Sequence, residues 1–188
     1  MSAASASLRS RPLSWSSTVL LDRNAPASDP WTQSDGAAIG NIPLALVPWE
    51  ALPEALANRA PGQQIGVVVP SSLAIAEIEA LLPELALIAI GFPAYSDGRG
   101  FSLAKQLRRA GFTGRLRASG PLIVDQFAYA LFCGFDEIAL PASSAGRQPA
   151  EQWQRALGQV GPRYQRGYGD GGSILDQRRA KRLTQAAG

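Results

Sequence analysis

From Gln64 onward the chain alternates between two kinds of pattern. Ile65 to Val69 and Leu85 to Ile90 are near-continuous apolar runs bounded by turn residues, as expected of strands buried on both faces. After the first run, Ile75, Ile78, Leu81 and Leu82 recur on one helical face, with Ser72 as the expected N-cap. After the second, Leu103, Leu107 and Ala110 mark a helix from Ser102 to Ala110, closed by Gly111. Arg115 to Ala118 then predicts a short strand and Leu122 to Cys133 a helix closed by Gly134. Asp136 to Leu140 predicts the last strand and Pro149 to Leu157 the last helix.

Upstream the signals are weaker. Ser17 to Asp22 reads as a short strand, and Trp31 stands in a polar, turn-rich segment. A strand over Ile42 to Val47, interrupted by Pro43, leads to a helix from Glu50 to Arg59 that Pro61-Gly62 stops. Strands alternating with helices predict parallel βαβ units with right-handed crossovers. The expected fold class is α/β, as a half-barrel or a three-layer, flavodoxin-like sheet, with the N-terminal strands as a small addition. The expected organisation is a disordered leader over residues 1–16, one α/β domain over 17–165, and a basic, disordered tail over 166–188 with a weak turn near Leu175 to Leu183.

Composition narrows the chemistry. The 188 residues suit one domain, and 46% hydrophobic residues supply a core. No run approaches the ~20 apolar residues of a membrane helix. There is no histidine, which removes the commonest general base and metal ligand. A single cysteine, Cys133, excludes an internal disulfide and a cysteine cluster, so no metal is expected. Cys133 follows Leu131 and Phe132 and reads as a buried, inert thiol. The net charge of +3 is uneven: residues 163–188 carry six cations against two acids, +4, which leaves −1 for residues 1–162. A second basic block, Arg99, Lys105, Arg108, Arg109, Arg115 and Arg117, contains no acid. Lys105, Arg108 and Arg109 are expected on a solvated helix face.

In parallel α/β folds, ligands meet the carboxyl ends of the strands. The loops expected there are Pro70 to Ser72, Phe92 to Gly100, Ser119 to Pro121, and Pro141 to Gly146. The helices they open would present free backbone N–H groups, which suit an anion. Asp97, Arg99 and Tyr95 are the polar side chains on that rim, with Asp125 and Gln126 one turn into the next helix. Asp97-Gly-Arg-Gly100 is neither a Walker A loop nor a dinucleotide fingerprint, and no cofactor is expected. Asp97 could instead cap the helix that follows, and Arg99 could pair with Asp97 or Asp125. Without histidine, Asp97, Asp125, Tyr95 and Cys133 are the remaining acid–base candidates, none with a second member at motif spacing. The chain is therefore unpromising as a stand-alone enzyme.

The run Leu87 to Ala104, then Leu107-Arg108, Gly114, Leu116-Arg-Ala118, Gly120, Asp125-Gln126 and Cys133-Gly-Phe-Asp136 resembles a bacterial domain of unknown function, number 934. Trp31, Ile42-Pro43, Trp49 and Tyr164-Gln165 fit the same pattern, so the resemblance spans roughly residues 17 to 165. Such proteins are typically encoded beside assimilatory nitrite/sulfite reductase. The resemblance implies a cytoplasmic, non-catalytic accessory or binding protein of sulfate assimilation, with the sirohaem sulfite/nitrite reductase as partner. It carries over no catalytic residue. Asp97, Gly98, Arg99, Asp125 and Gln126 match its motif positions and are the candidates for contacting a ligand or partner. The chain departs from the pattern where Arg115 replaces a Glu, Pro121 an Asp, and Val124 and Phe132 an Arg each. Two other readings stand beside this one. One is a small-anion-binding enzyme of sulfur metabolism using the Asp97/Arg99 loop. The other is a basic interaction module acting through the tail and the Lys105–Arg117 block. That module would suit an acidic protein better than nucleic acid, because no aromatic residues interleave with the cations.

Overall fold

The computed structural model describes residues 18–22, 26–36, 38–145 and 147–158. Eight strands form one sheet: β1 (Thr18–Asp22), β2 (Pro26–Ala27), β3 (Thr32–Gln33), β4 (Leu44–Pro48), β5 (Gln64–Pro70), β6 (Leu85–Gly91), β7 (Arg115–Ser119) and β8 (Glu137–Pro141). Their spatial order is β2-β1-β8-β7-β6-β5-β4-β3. From β3 to β8 every pairing is parallel, while β1 runs antiparallel to both β8 and β2. Among the described residues six α-helices join or follow the strands: α1 (Leu52–Ala57), α2 (Ile75–Ile78), α3 (Arg99–Arg109), α4 (Phe127–Cys133), α5 (Ala142–Ala145) and α6 (Ala150–Gly158).

Each parallel strand lies beside its predecessor. Right-handed crossovers in such an order put every helix on one face. The packing agrees. Val47, Val67, Ile88, Ile90, Leu116, Ala118, Ile138 and Leu140 share one core with Leu52, Ile78, Leu107, Phe127 and Trp153 from the helices. The opposite face holds a separate small cluster, Leu46, Leu87 and Ala89, with Trp31 and Val68 against it. Of the two architectures expected, this is the half-barrel.

Chain length explains the curl. β2 and β3 sit at opposite edges of the sheet, yet only Ser28 to Trp31 separate them. A flat sheet would place them roughly 34 Å apart, at ~4.8 Å per strand step. Ala27 to Thr32 can reach at most about 18 Å. The sheet must therefore bend, and these residues form a strap across its hollow side. Small residues admit the strap. A side chain at Gly66 would lie 3.1 Å from the Trp31 ring and 3.0 Å from Leu87 Cβ.

β1 and β4 to β8 follow the sequence pattern within a residue or two, β2 and β3 were not expected, and the helices follow it less well. Ser72 is not the cap of α2. That helix starts at Ile75, and the Ala74 N–H donates to Glu77 Oε1 at 3.1 Å. Only Ile75–Ile78 is α-helical before a 3₁₀ stretch, Glu79–Glu84, because Pro83 cannot supply a helix N–H. The helix expected from Leu122 opens as a 3₁₀ turn, Val124–Gln126, and becomes α at Phe127. The one expected over Glu50–Arg59 is likewise a 3₁₀ turn, Trp49–Ala51, followed by α1. By contrast α3 begins three residues before Ser102. Cys133 is buried at the end of α4, 2% exposed, and Gly134 caps that helix with φ +105°. The leader over 1–16, the tail over 166–188 and the turn near Leu175 to Leu183 lie outside the described residues.

Candidate functional site

The carboxyl ends of β5, β6 and β7 bring three of the expected loops to one rim, while after β8 the loop expected over Pro141 to Gly146 is instead helix α5. Asp97 is the centre of the rim. Its Oδ1 accepts the Arg99 backbone N–H at 3.1 Å and Arg99 Nε at 3.0 Å. Its Oδ2 accepts Arg99 Nη2 at 2.7 Å and the Ser71 hydroxyl at 2.9 Å. Arg99 is the first residue of α3, so Asp97 satisfies an N–H at that helix start while pairing with the adjacent guanidinium. Ser71 is 6% exposed and ties the β5 loop to the β6 loop. Hydrogen bonds from the Arg99 side chain and backbone hold the Asp97 carboxyl below the ordinary carboxylate range. Partial burial opposes this, and Ser71 assists it. The carboxylate is a fixed anion, and the same pairing raises Arg99 further above neutrality.

Gln126 joins the second pair of loops. Its Nε2 donates to the Tyr95 carbonyl at 2.7 Å, and its Oε1 accepts the Ile123 N–H at 3.1 Å. Gly98 is exposed and precedes α3, and Asp125 is exposed on the turn before α4. Thus Asp97, Gly98 and Arg99 form one cluster with Ser71, and Gln126 forms another with Tyr95. The Arg99 guanidinium pairs with Asp97 and not with Asp125. Gly120 lets these loops meet. It has φ +144°, and a side chain there would collide with the Phe92 carbonyl oxygen.

The N–H groups expected to be free for an anion have partners at several helix starts. Ala74 donates to Glu77, Arg99 to Asp97, Ile123 to Gln126, and Val124 to Gln148 Oε1 at 2.9 Å. The solvated helix face also needs correction at Arg108. Its Nη1 donates to the carbonyls of Phe112 and Gly114, both at 2.8 Å, and its Nε to that of Gly134 at 3.0 Å. Its Nη2 meets Asp136 Oδ2 at 2.7 Å. Arg108 therefore stitches the end of α3 to the turns entering β7 and β8. Lys105 lies 5.3 Å from the Tyr129 ring centroid and 4.9 Å from that of Phe132.

A second polar cluster, on the hollow face, was hidden in the sequence. Arg117, 3% exposed, grips Asp29 of the strap through Nη1 and Nη2 at 2.6 and 2.7 Å, and donates from Nε to Glu137 Oε1 at 2.8 Å. Arg115 holds the other Glu137 oxygen through Nε at 3.0 Å. Burial opposes the charge on Arg117, but Asp29 and Glu137 outweigh it and raise its pKa. Period-two alternation puts Arg115 and Arg117 on the face opposite Leu116 and Ala118, a signal the sequence did contain. Their acids come from distant segments. Among the described residues every buried side-chain nitrogen or oxygen has a hydrogen-bond partner, and no group of acids and cysteine could hold a metal. No described helix is long and apolar enough to cross a membrane.

A family model described as a bacterial protein of unknown function (DUF934) matches residues 66–174, more than half of the chain. The match begins within β5 and takes in the whole rim, leaving the strap and β4 outside it. No match was found among curated proteins.

Proposed function

The chain belongs to the DUF934 family, and on that premise we propose that it is a non-catalytic accessory protein of assimilatory sulfite/nitrite reduction, acting in the cytoplasm by binding the sirohaem reductase. One observation carries the binding role: the rim's polar groups are committed to one another. Asp97 is fixed as an anion by Arg99 and Ser71, which suits it poorly to moving a proton near neutral pH. The N–H groups of Ala74, Arg99, Ile123 and Val124 are taken by side chains of the same chain. Such a rim holds its own loops rigid and offers a shaped surface. The sulfite-reduction context comes from the sequence resemblance.

The test is genetic and biochemical. Deleting the gene should slow growth on sulfate as sole sulfur source and lower reductase activity in extracts, and the purified chain should co-purify with the reductase. Unchanged growth and activity after deletion would sink the proposal. A second reading draws on the exposure of Arg99, whose side chain is 64% accessible beside its pair. A small oxyanion bound there would raise the melting temperature with sulfite, sulfate or a phosphate ester, and Arg99→Ala would abolish the shift.

A further inference from the structure

Among the described residues the large hydrophobic side chains that remain exposed are Tyr95 at 58%, Tyr129 at 48% and Ile123 at 36%. Tyr95 is distant in sequence from Ile123 and Tyr129, and Gln126 brings the backbone of its loop beside theirs. Its two amide atoms hold the Tyr95 carbonyl and the Ile123 N–H, and Tyr129 follows it by three residues, one turn on along the same chain. Single exposed apolar residues need no explanation, whereas a cluster does. The cluster is held rigid. The Tyr129 ring packs edge-on against Phe101 with centroids 5.1 Å apart, and Phe132 lies 6.2 Å from Tyr129. Its border on the α3 side is cationic. Lys105 lies over Tyr129 and Phe132, and Arg109, exposed one helical turn beyond Lys105, extends the same face of α3. Asp125 stands on the turn between Ile123 and Gln126.

We propose that this aromatic patch, Tyr95, Ile123, Tyr129 and Phe132 with Lys105 and Arg109 at its border, is the docking surface for a partner protein that presents an apolar side chain ringed by carboxylates. Aromatic anchors flanked by cations are what such a centre requires. Tyr loses few rotamers on binding, and Lys105 is already positioned by the rings beneath it. The assignment rests on the accessory-protein reading above, and its partner there is the reductase.

The test measures binding of the full chain to purified sirohaem reductase by titration calorimetry at two salt concentrations. Ile123→Ser and Tyr129→Ser should each weaken binding about tenfold. Lys105→Glu and Arg109→Glu should weaken it at low salt and flatten its salt dependence. Glu79→Lys, on the opposite side of the helical layer, should bind as the native chain does. If Tyr129→Ser fails to fold, because its ring supports Phe101, the exposed Ile123 and Arg109 variants decide. Native binding that all four variants retain overturns the surface and leaves the accessory reading standing. Absence of native binding overturns both. A concentration-dependent dimer of the chain alone, abolished by Ile123→Ser, would assign the patch to a second copy and overturn the partner named here.

Discussion

Arg117 grips Asp29 at 2.6 and 2.7 Å, and Arg99 grips Asp97 at 3.0 and 2.7 Å, each through two nitrogens. The chemistry is the same, but the surroundings differ. The Arg117 side chain is 3% exposed and its partner lies 88 residues away, while the Arg99 side chain is 64% exposed and its partner is two residues away. In the hollow of the sheet Arg117 and Glu137 have been taken out of water, so each depends on its partners, while Asp29 and Arg115 keep part of their side chains in solvent. At the rim water screens the pair, and the geometry is nearly dictated by the turn. The buried pair ties the strap to a central strand, and the exposed pair shapes one loop.

The largest expected effect comes from breaking the buried pair from one side. Arg117→Ala removes the cation on Asp29 and one of the two on buried Glu137, which Arg115 still holds, so denaturant unfolding should show a loss of about 3 kcal/mol, the low end for a broken buried pair. Replacing all three with apolar residues, as Asp29→Leu, Arg117→Met and Glu137→Leu together, sharpens the point. That variant should recover most of the loss, because the desolvation penalty disappears with the charges. Next in size is the seat of the strap. Gly66→Val should cost about 1–3 kcal/mol by pressing on Trp31 and Leu87, with the near-ultraviolet signal of Trp31 altered.

Smaller, and dependent on pH, is Asp97→Asn. The folded state lowers the Asp97 pKa, so its stabilisation is present above the ordinary carboxylate value and is lost as pH falls towards the folded value. The native chain should therefore exceed Asp97→Asn in stability near neutrality, and the gap should close in melts carried below about pH 4. A gap that is constant with pH would mean that hydrogen-bond geometry, not charge, matters at this position. Smallest is Arg99→Ala, whose stability should fall within the scatter of ordinary surface substitutions. If Arg99→Ala destabilised the chain as much as Arg117→Ala, the contrast between the two pairs would fail.

What could be read from the sequence follows the same division. Asp97 and Arg99 are two residues apart, so their pairing and the support of the following helix were open to inspection. The apolar runs of β5 and β6 announced themselves through continuity. β2 and β3 are two residues each, too short for any period to register. Arg115 and Arg117 looked like members of an unneutralised basic block because Asp29 and Glu137 reach them only through the sheet's curl and register. Ser71 and Ser72 are chemically alike, and only tertiary placement makes Ser71 the one that meets Asp97. Arg108 looked like part of a solvated face because helical spacing cannot show that three carbonyls from two turns converge on it.

The strap also sets a schedule for synthesis. Asp29 leaves the ribosome 88 residues before Arg117, which at ~5–20 residues per second is a delay of roughly 4 to 18 s. During that time β4, β5 and β6 can pair in order as each appears, while β1 has no β8 to join and Asp29 has no cation to hold. The segment made first is thus seated last. Closing it joins residues of high sequence separation, the kind of step that slows folding. A chain stalled before β8 would carry a half-closed sheet in which Arg117 lacks Glu137 and β1 lacks its neighbour.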